Sequence, residues 1–343
     1  MGHPRRVMAA LIGLALAVPP GAEAVAVAAP STPINDLATR SYLGFQGGLY
    51  PDGSNALPAT HHAVGVGRAR RVRPVDVDGV PKATGKIVLL SIGMSNTTQE
   101  FCARRSDGRC APWSFSGQAA VDPQVDHANL VIVDGAAGGQ TAGTWTSPNA
   151  ENYDRVRTSG LAPLGLTENQ VQVVWVKVAN ATPTVSLPAS NADAYQLVTQ
   201  QGAIARALRA RYPNLQLVFF SSRIYAGYAT TRLNPEPYAY ESGFGVKWVI
   251  QAQINQMAGS PVDPRAGNLS YHSVAPWLAW GPYLWADGTT PRSDGLTWAR
   301  SELANDGTHP AQPGEEKVGT LLLDFFKSSP QTVCWFLVGR TCA

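Results

Sequence analysis

Four runs of strand length stand out along the chain because they are apolar without alternation: KIVLLSIG at 86–93, NLVIVDG at 129–135, VQVVWVKV at 171–178 and LQLVFFSS at 215–222. Continuous runs of this kind predict strands buried on both faces of a parallel sheet. VAPWLAWGPYLW at 274–285 is a fifth candidate. Helical patterns lie between and after them. Leu197, Gln201, Ile204, Leu208 and Tyr212 recur at helical spacing and stop before Pro213, whereas Val246, Val249, Ile250, Ile254 and Met257 form a second stripe ended by Gly259. A last stripe carries Val318, Leu321, Leu322 and Phe325 behind Glu315 and Glu316, two acids placed at the positive end of a helix. Strands alternating with helices predict a doubly wound α/β sheet.

Residues 37–85 are rich in Gly, Pro and Asp and show no helical period, so they are read as an N-terminal extension lying on a main domain at 86–343. Within them, GRARRVRPVD at 67–76 reads as a solvated strand edge, and His61 and His62 as surface residues. The first 28 residues have another pattern: Arg5 and Arg6, an apolar run from Val7 to Val18, then Ala22-Glu23-Ala24. Basic, apolar and small-residue segments in that order predict a secretory signal peptide. The run is shorter than the roughly 20 residues needed to span a bilayer, so no stable membrane insertion is expected after its removal. The formal net charge of +3 falls by one when that leader is lost, and no Lys/Arg stripe follows, which argues against a nucleic-acid partner.

Four cysteines form two local pairs, Cys102 with Cys110 and Cys334 with Cys342. In an exported chain this spacing predicts two short-loop disulfides; a metal site is the weaker reading, since neither pair is a C-x-x-C and no histidine stands beside them.

Ligands of an open parallel sheet bind outside the carboxyl ends of its strands, so the residues following each run carry the candidate chemistry. Ser95 follows the first run at the start of a predicted helix, where its hydroxyl is a nucleophile and its N–H an unpaired donor; it equally fits a helix cap. The glycine-rich DGAAGGQTAG at 134–143 offers backbone N–H groups to an oxyanion, or is simply a pliant loop. Asn180 is the first polar side chain beyond the third run, able to donate to developing negative charge or to form an Asx-turn before Pro183. NDGTHPAQPG at 305–314 places Asp306 three residues before His309, an orienter and a base on one turn. Each segment alone is ambiguous; together they supply a nucleophile, oxyanion donors, a base and its orienter, the inventory for acyl transfer through an acyl-enzyme without cofactor or metal.

In this order the segments resemble the four sequence blocks of the SGNH, or GDSL-like, hydrolases: Gly93-Met94-Ser95-Asn96, Gly138-Gly139-Gln140-Thr141, Val178-Ala179-Asn180-Ala181 and Asp306-Gly307-Thr308-His309-Pro310. The resemblance implies a flavodoxin-like three-layer α/β/α sandwich with a mostly parallel sheet of about five strands. It also implies a catalytic triad of Ser95, Asp306 and His309, and an oxyanion hole of the Ser95 and Gly139 amides with the Asn180 side chain. Two departures stand out. Met94 occupies the usual position of Asp, and Val178 and Ala181 replace the Gly and Asp flanking the third-block Asn.

The expected activity is that of a secreted serine esterase, extracellular or periplasmic, acting on a small-molecule or carbohydrate ester such as an O-acetylated sugar. The tyrosines at 225, 228, 238 and 240 overhang the crevice as a flat surface for a sugar, or form the loop's own small core. No apolar lid of a lipase is visible. The departures motivate an alternative, a catalytically inactive carbohydrate-binding protein on the same fold. A glycosidase using Glu236 and Glu241 is a third reading. Asn96-Thr97-Thr98 and Asn180-Ala181-Thr182 are glycosylation sequons on the proposed site, which favours a bacterial source, where that modification is uncommon.

Overall fold

The computed structural model describes residues 1–2 and 31–342, so most of the expected signal peptide at 1–28 lies outside the described residues. From the N-terminus come α1 (Ile34–Leu37), a hairpin of β1 (Ser41–Tyr42) and β2 (Phe45–Gln46), and α2 (Ala59–Ala69). Then follow β3 (Ile87–Gly93), α3 (Ser95–Phe101), α4 (Phe115–Val121), β4 (Leu130–Asp134), α5 (Glu151–Arg155), β5 (Val171–Lys177) and α6 (Asp193–Arg211). β6 (Leu217–Phe220), α7 (Tyr238–Met257), β7 (Trp277–Trp280), α8 (Gln312–Ser328) and α9 (Val333–Phe336) complete the order.

Strands β3 to β7 form one sheet in the order β4-β3-β5-β6-β7, with every neighbouring pair parallel. Counted from its first strand this is the 2-1-3-4-5 order of a flavodoxin-like sheet. All five apolar runs become strands. β3 and β5 are buried at every position, as a sheet covered on both faces requires.

Alternate residues of each strand feed different cores. Val88, Leu90, Ile92, Val174, Val176, Val218 and Phe220 pack with α6 and α7, whereas Leu89, Val173, Trp175, Leu217, Phe219 and Trp277 pack with α3, α4, α8 and α9. The chain is therefore a three-layer α/β/α sandwich. Both expected disulfides are present, Cys102–Cys110 and Cys334–Cys342, with Cα–Cα distances of 4.5 and 4.8 Å. Among the described residues no helix is long and apolar enough to cross a membrane.

The N-terminal segment departs from its expected form. α2 buries His61, Gly65, Val66 and Ala69, a helical stripe that small residues and histidines disguise in the sequence. GRARRVRPVD is not a strand edge: Gly67 to Ala69 end this helix, and only Val75 makes isolated bridges, with Pro81 and Lys86. His61 is not a surface residue either, being 4% exposed, with its ring stacked on Trp277 at 4.9 Å. Its Nε2 lies 2.8 Å from the Leu278 carbonyl, an acceptor that requires the N–H on that nitrogen. Lys247 donates to the Gln46 and Gly47 carbonyls and thereby ties the hairpin to α7.

Burial pulls the His61 pKa down from 6.5 to about 4, although the bond to Leu278 opposes the shift. The folded chain thus binds fewer protons here than the unfolded chain, so stability is full above pH 6.5 and falls as pH drops toward 4. The linkage is worth up to about 3 kcal/mol. Urea unfolding of His61→Leu is expected to show lower stability at pH 7 but a shallower loss between pH 6.5 and 4 than the wild-type chain.

Candidate active site

Gly93 closes β3 where the chain must turn sharply: a Cβ there would stand 2.3 Å from both the Lys177 carbonyl and the Thr97 hydroxyl. Thr97 donates to that carbonyl at 2.6 Å and accepts from the Met94 amide at 3.2 Å, so α3 begins fixed against the end of β5. Ser95 is the first residue of α3, part-exposed, and its amide has no hydrogen-bond partner among the described residues.

The turn that carries the acid and the histidine comes from the other end of the chain. Asp306 Oδ1 accepts from the Thr308 and His309 amides, both at 3.0 Å, and Oδ2 lies 2.6 Å from His309 Nδ1. Gly307 makes this possible, with φ at +63° and a site for Cβ only 1.9 Å from the Tyr228 carbonyl. No other residue fits. Burial acts to raise the Asp306 pKa, but the bonds from the His309 ring and the two amides outweigh it and hold the carboxyl below its ordinary range. Ser95 Oγ lies 2.7 Å from His309 Nε2. Serine, imidazole and carboxylate thus form one hydrogen-bonded chain, with Asp306 placed to keep the proton on Nδ1 and leave Nε2 as acceptor.

The two remaining candidates stand at neighbouring strand ends. Gly139 is exposed in the loop after β4, with φ at +77° and no partner for its amide among the described residues. Asn180 follows β5 and donates Nδ2 to the Asp193 carbonyl at 2.8 Å, which fixes the amide plane and leaves its second N–H unassigned. The Ala142 amide bonds to the Ala179 carbonyl at 3.0 Å and holds the two loops together. Neither Gly139 nor Asn180 hydrogen-bonds to Ser95 or His309, so the structure joins the three side chains of the proposed triad directly and sets the oxyanion candidates beside them only through shared loops. Met94, the departure before the serine, is buried, at 7% exposed.

Several residues at the site escape a reading by sequence. Asn96 is 2% exposed and donates Nδ2 to the Thr308 carbonyl at 2.9 Å, linking α3 to the turn that carries His309. Asp134, at the end of β4, accepts from the Ser91 and Thr98 hydroxyls and the Ala136 amide, so it pins both α3 and the glycine loop. Behind α3, Lys177 contacts both oxygens of Glu100, and neither side chain is exposed. Burial raises Glu100 and pulls Lys177 down to about 8, while their contact opposes both shifts. Arg223, 1% exposed, donates to the Thr308 carbonyl at 3.3 Å. Asp134 and Lys177 are marked only as polar residues ending apolar strands, and nothing along the sequence marks the partners of Asn96, Glu100 or Arg223.

The tyrosine surface is not flat. Tyr240 is buried and bonds to the Thr32 carbonyl, while Tyr225 packs edge-on to Tyr228 and Trp285, so these rings form the loop's own core. Glu236 accepts from the Ala226 and Tyr240 amides and the Trp285 indole, and Glu241 from Tyr42 and the Leu187 amide; both carboxylates hold the chain together rather than face one another across a crevice.

No family model matches the chain, and no curated relative matches it by sequence. Among solved structures it is similar to a family two carbohydrate esterase from Clostridium thermocellum, at 14% identity and a TM-score of 0.38 over 72% of this chain and 65% of that one. It is also similar to an extracellular lipase from Streptomyces rimosus, at 13% identity and a TM-score of 0.33 over 71% of this chain and 99% of that one. A psychrotrophic esterase from Pseudoalteromonas gives 14% identity and a TM-score of 0.36 over 70% and 96% of the two chains. The chain spans less than two thirds of the Clostridium protein. Likenesses this remote carry no weight for chemistry, which rests on the geometry above.

Lys177→Met leaves Glu100 buried without its partner, a loss expected to cost about 3–5 kcal/mol in urea unfolding. The double variant Lys177→Met with Glu100→Leu should recover much of that cost, because it removes the stranded charge as well.

Proposed function

We propose that this chain is a secreted serine esterase that hydrolyses small polar carboxylic esters, O-acetylated carbohydrates among them. The observation that carries the reading is the continuous chain from Ser95 Oγ through His309 to Asp306, at 2.7 and 2.6 Å. Those distances lie within the range a nucleophile, its base and the orienter of that base require.

On this reading the Ser95 oxygen attacks the ester carbonyl as its proton passes to His309 Nε2. Asp306, held ionised by its amide bonds, stabilises the imidazolium that forms. The negative charge on the former carbonyl oxygen is taken up by the Ser95 and Gly139 amides and the second N–H of Asn180. Imidazolium then protonates the departing alkoxide, leaving an acyl-Ser95, and a water deprotonated by the same Nε2 releases the acid. No step calls on Met94, so the first departure leaves every reacting group in place. Val178 and Ala181 bear only on how Asn180 is aimed, and its bond to Asp193 fixes that plane.

The polar substrate class is supported by the side chains that follow β4: a cavity of about 460 Å³ among the residues flanking the glycine loop is lined by Ala137, Gln140, Thr144, Glu151, Asn152 and Arg155. Amide, hydroxyl and charged groups suit a hydroxylated alcohol or a short acyl group and disfavour a long hydrocarbon chain. The two disulfides accord with an oxidising compartment, which supports export. We take residues 37–85 as an extension packed on the hydrolase domain at 86–343, with 1–28 as its signal peptide.

Hydrolysis of p-nitrophenyl acetate by the wild-type chain tests the reading against Ser95→Ala, His309→Ala and Asp306→Asn. Each single loss is expected to lower kcat by a thousandfold or more (~10³), with little further loss in the Ser95/His309 double variant because the two act as one unit. A wild-type chain that binds a glycan without turnover would instead support the inactive binding protein. Turnover of an acetylated oligosaccharide should also exceed that of p-nitrophenyl palmitate.

A further inference from the structure

The Thr308 carbonyl is the peptide oxygen immediately before His309, and two buried donors converge on it. Asn96 Nδ2 reaches it at 2.9 Å from the residue that follows Ser95, and Arg223 Nη2 at 3.3 Å from the segment after β6. Thr308 is itself 1% exposed, so no water replaces either donor from outside. Neither Asn96 nor Arg223 takes part in the chemistry proposed above. We propose that Arg223 is a positioning residue for the triad: through the Thr308 carbonyl it fixes the peptide that carries His309.

The surroundings of Arg223 support this role. The guanidinium is 1% exposed, and its Nε has no partner among the described residues. A fully buried arginine with an unsatisfied donor costs stability, which a structural role alone does not explain, since an apolar side chain of similar length would fill the space more cheaply. Glu100 from α3, Glu236 from the segment before α7 and Asp306 from the turn attract the guanidinium, while Lys177 at the end of β5 repels it. Among these groups Arg223 is the cation bonded to the His309 turn, and Lys177 is held on Glu100.

The planar fork of arginine fixes a direction that the point charge of lysine does not. Arg223→Lys keeps the charge and loses the fork; Arg223→Met loses both.

This inference rests on the esterase reading, and the test separates the two. kcat and KM for p-nitrophenyl acetate are measured separately for the wild type, Arg223→Lys and Arg223→Met, together with Tm and the NMR shift of the His309 backbone amide in each. Arg223→Lys is expected to lower kcat by about tenfold and Arg223→Met by roughly a hundredfold, the scale of a misplacement of about 1 Å, with KM little changed and the amide shift moved in both. A wild-type kcat and an unmoved amide shift in a folded Arg223→Met overturn the proposal, as does a loss of kcat that merely tracks Tm. If Arg223→Met does not fold, an Arg223→Lys variant with wild-type kcat overturns it. Absence of ester turnover and of Ser95 labelling by an organophosphonate in the wild type would defeat the esterase reading instead, and the His309 amide shift then decides Arg223 by itself.

Discussion

Parallel pairing is the constraint from which the rest of the structure follows. Because β3 to β7 all run the same way, each strand delivers its next residues to one edge, and the positions after them are brought within reach of one another without further design. β3 lies between β4 and β5, so Ser95 emerges flanked by the glycine loop on one side and Asn180 on the other. The hydrogen bonds of the sheet leave the loop residues little choice of neighbour. What they do retain is the choice of side chain, and it is there that this chain puts a hydroxyl, an amide and a glycine whose N–H has no partner among the described residues.

A crevice built in this way still needs its C-terminal turn to be held from behind. The support is polar where an apolar core would be cheaper: Lys177 on Glu100, Asn96 and Arg223 on the Thr308 carbonyl, Asp134 on two hydroxyls. Directional bonds fix angles that close packing leaves loose, and a hydroxyl and an imidazole 2.7 Å apart tolerate little error in angle. The stability given up in burying charge is set against a single geometry for the imidazole.

The sheet was legible in the sequence because burial on both faces writes itself as uninterrupted apolar runs, and all five became strands. The Asp306 to His309 turn was legible for a different reason: its partners are three residues apart, and Gly307 marks the bend. α2 was not legible, since its buried face uses His61, Gly65, Val66 and Ala69, of which only Val66 carries a strong hydrophobic signal, and His61 is accommodated only because Leu278 and Trp277 arrive from more than two hundred residues away. Arg223 and Glu100 were hidden likewise. A buried charge is identified by its partner, and partners on different strands are invisible along a single chain. The tyrosines left two readings open because their spacing says nothing of which way the rings turn, and the structure chooses the packed one.

Gly307 has a consequence of another kind. The space a Cβ would need is filled by the backbone of Tyr228, and the Thr230 amide bonds to the Asp306 carbonyl at 2.9 Å, so main chain meets main chain where the turn and the loop above it touch. The Thr230 and Thr231 hydroxyls add bonds to the Asp306 carbonyl and the Thr308 hydroxyl, but the backbone contacts survive an exchange of side chains, whereas an insertion or deletion between 228 and 230 would displace the acid and the histidine as a unit. The segment is open to changes of composition and closed to changes of length.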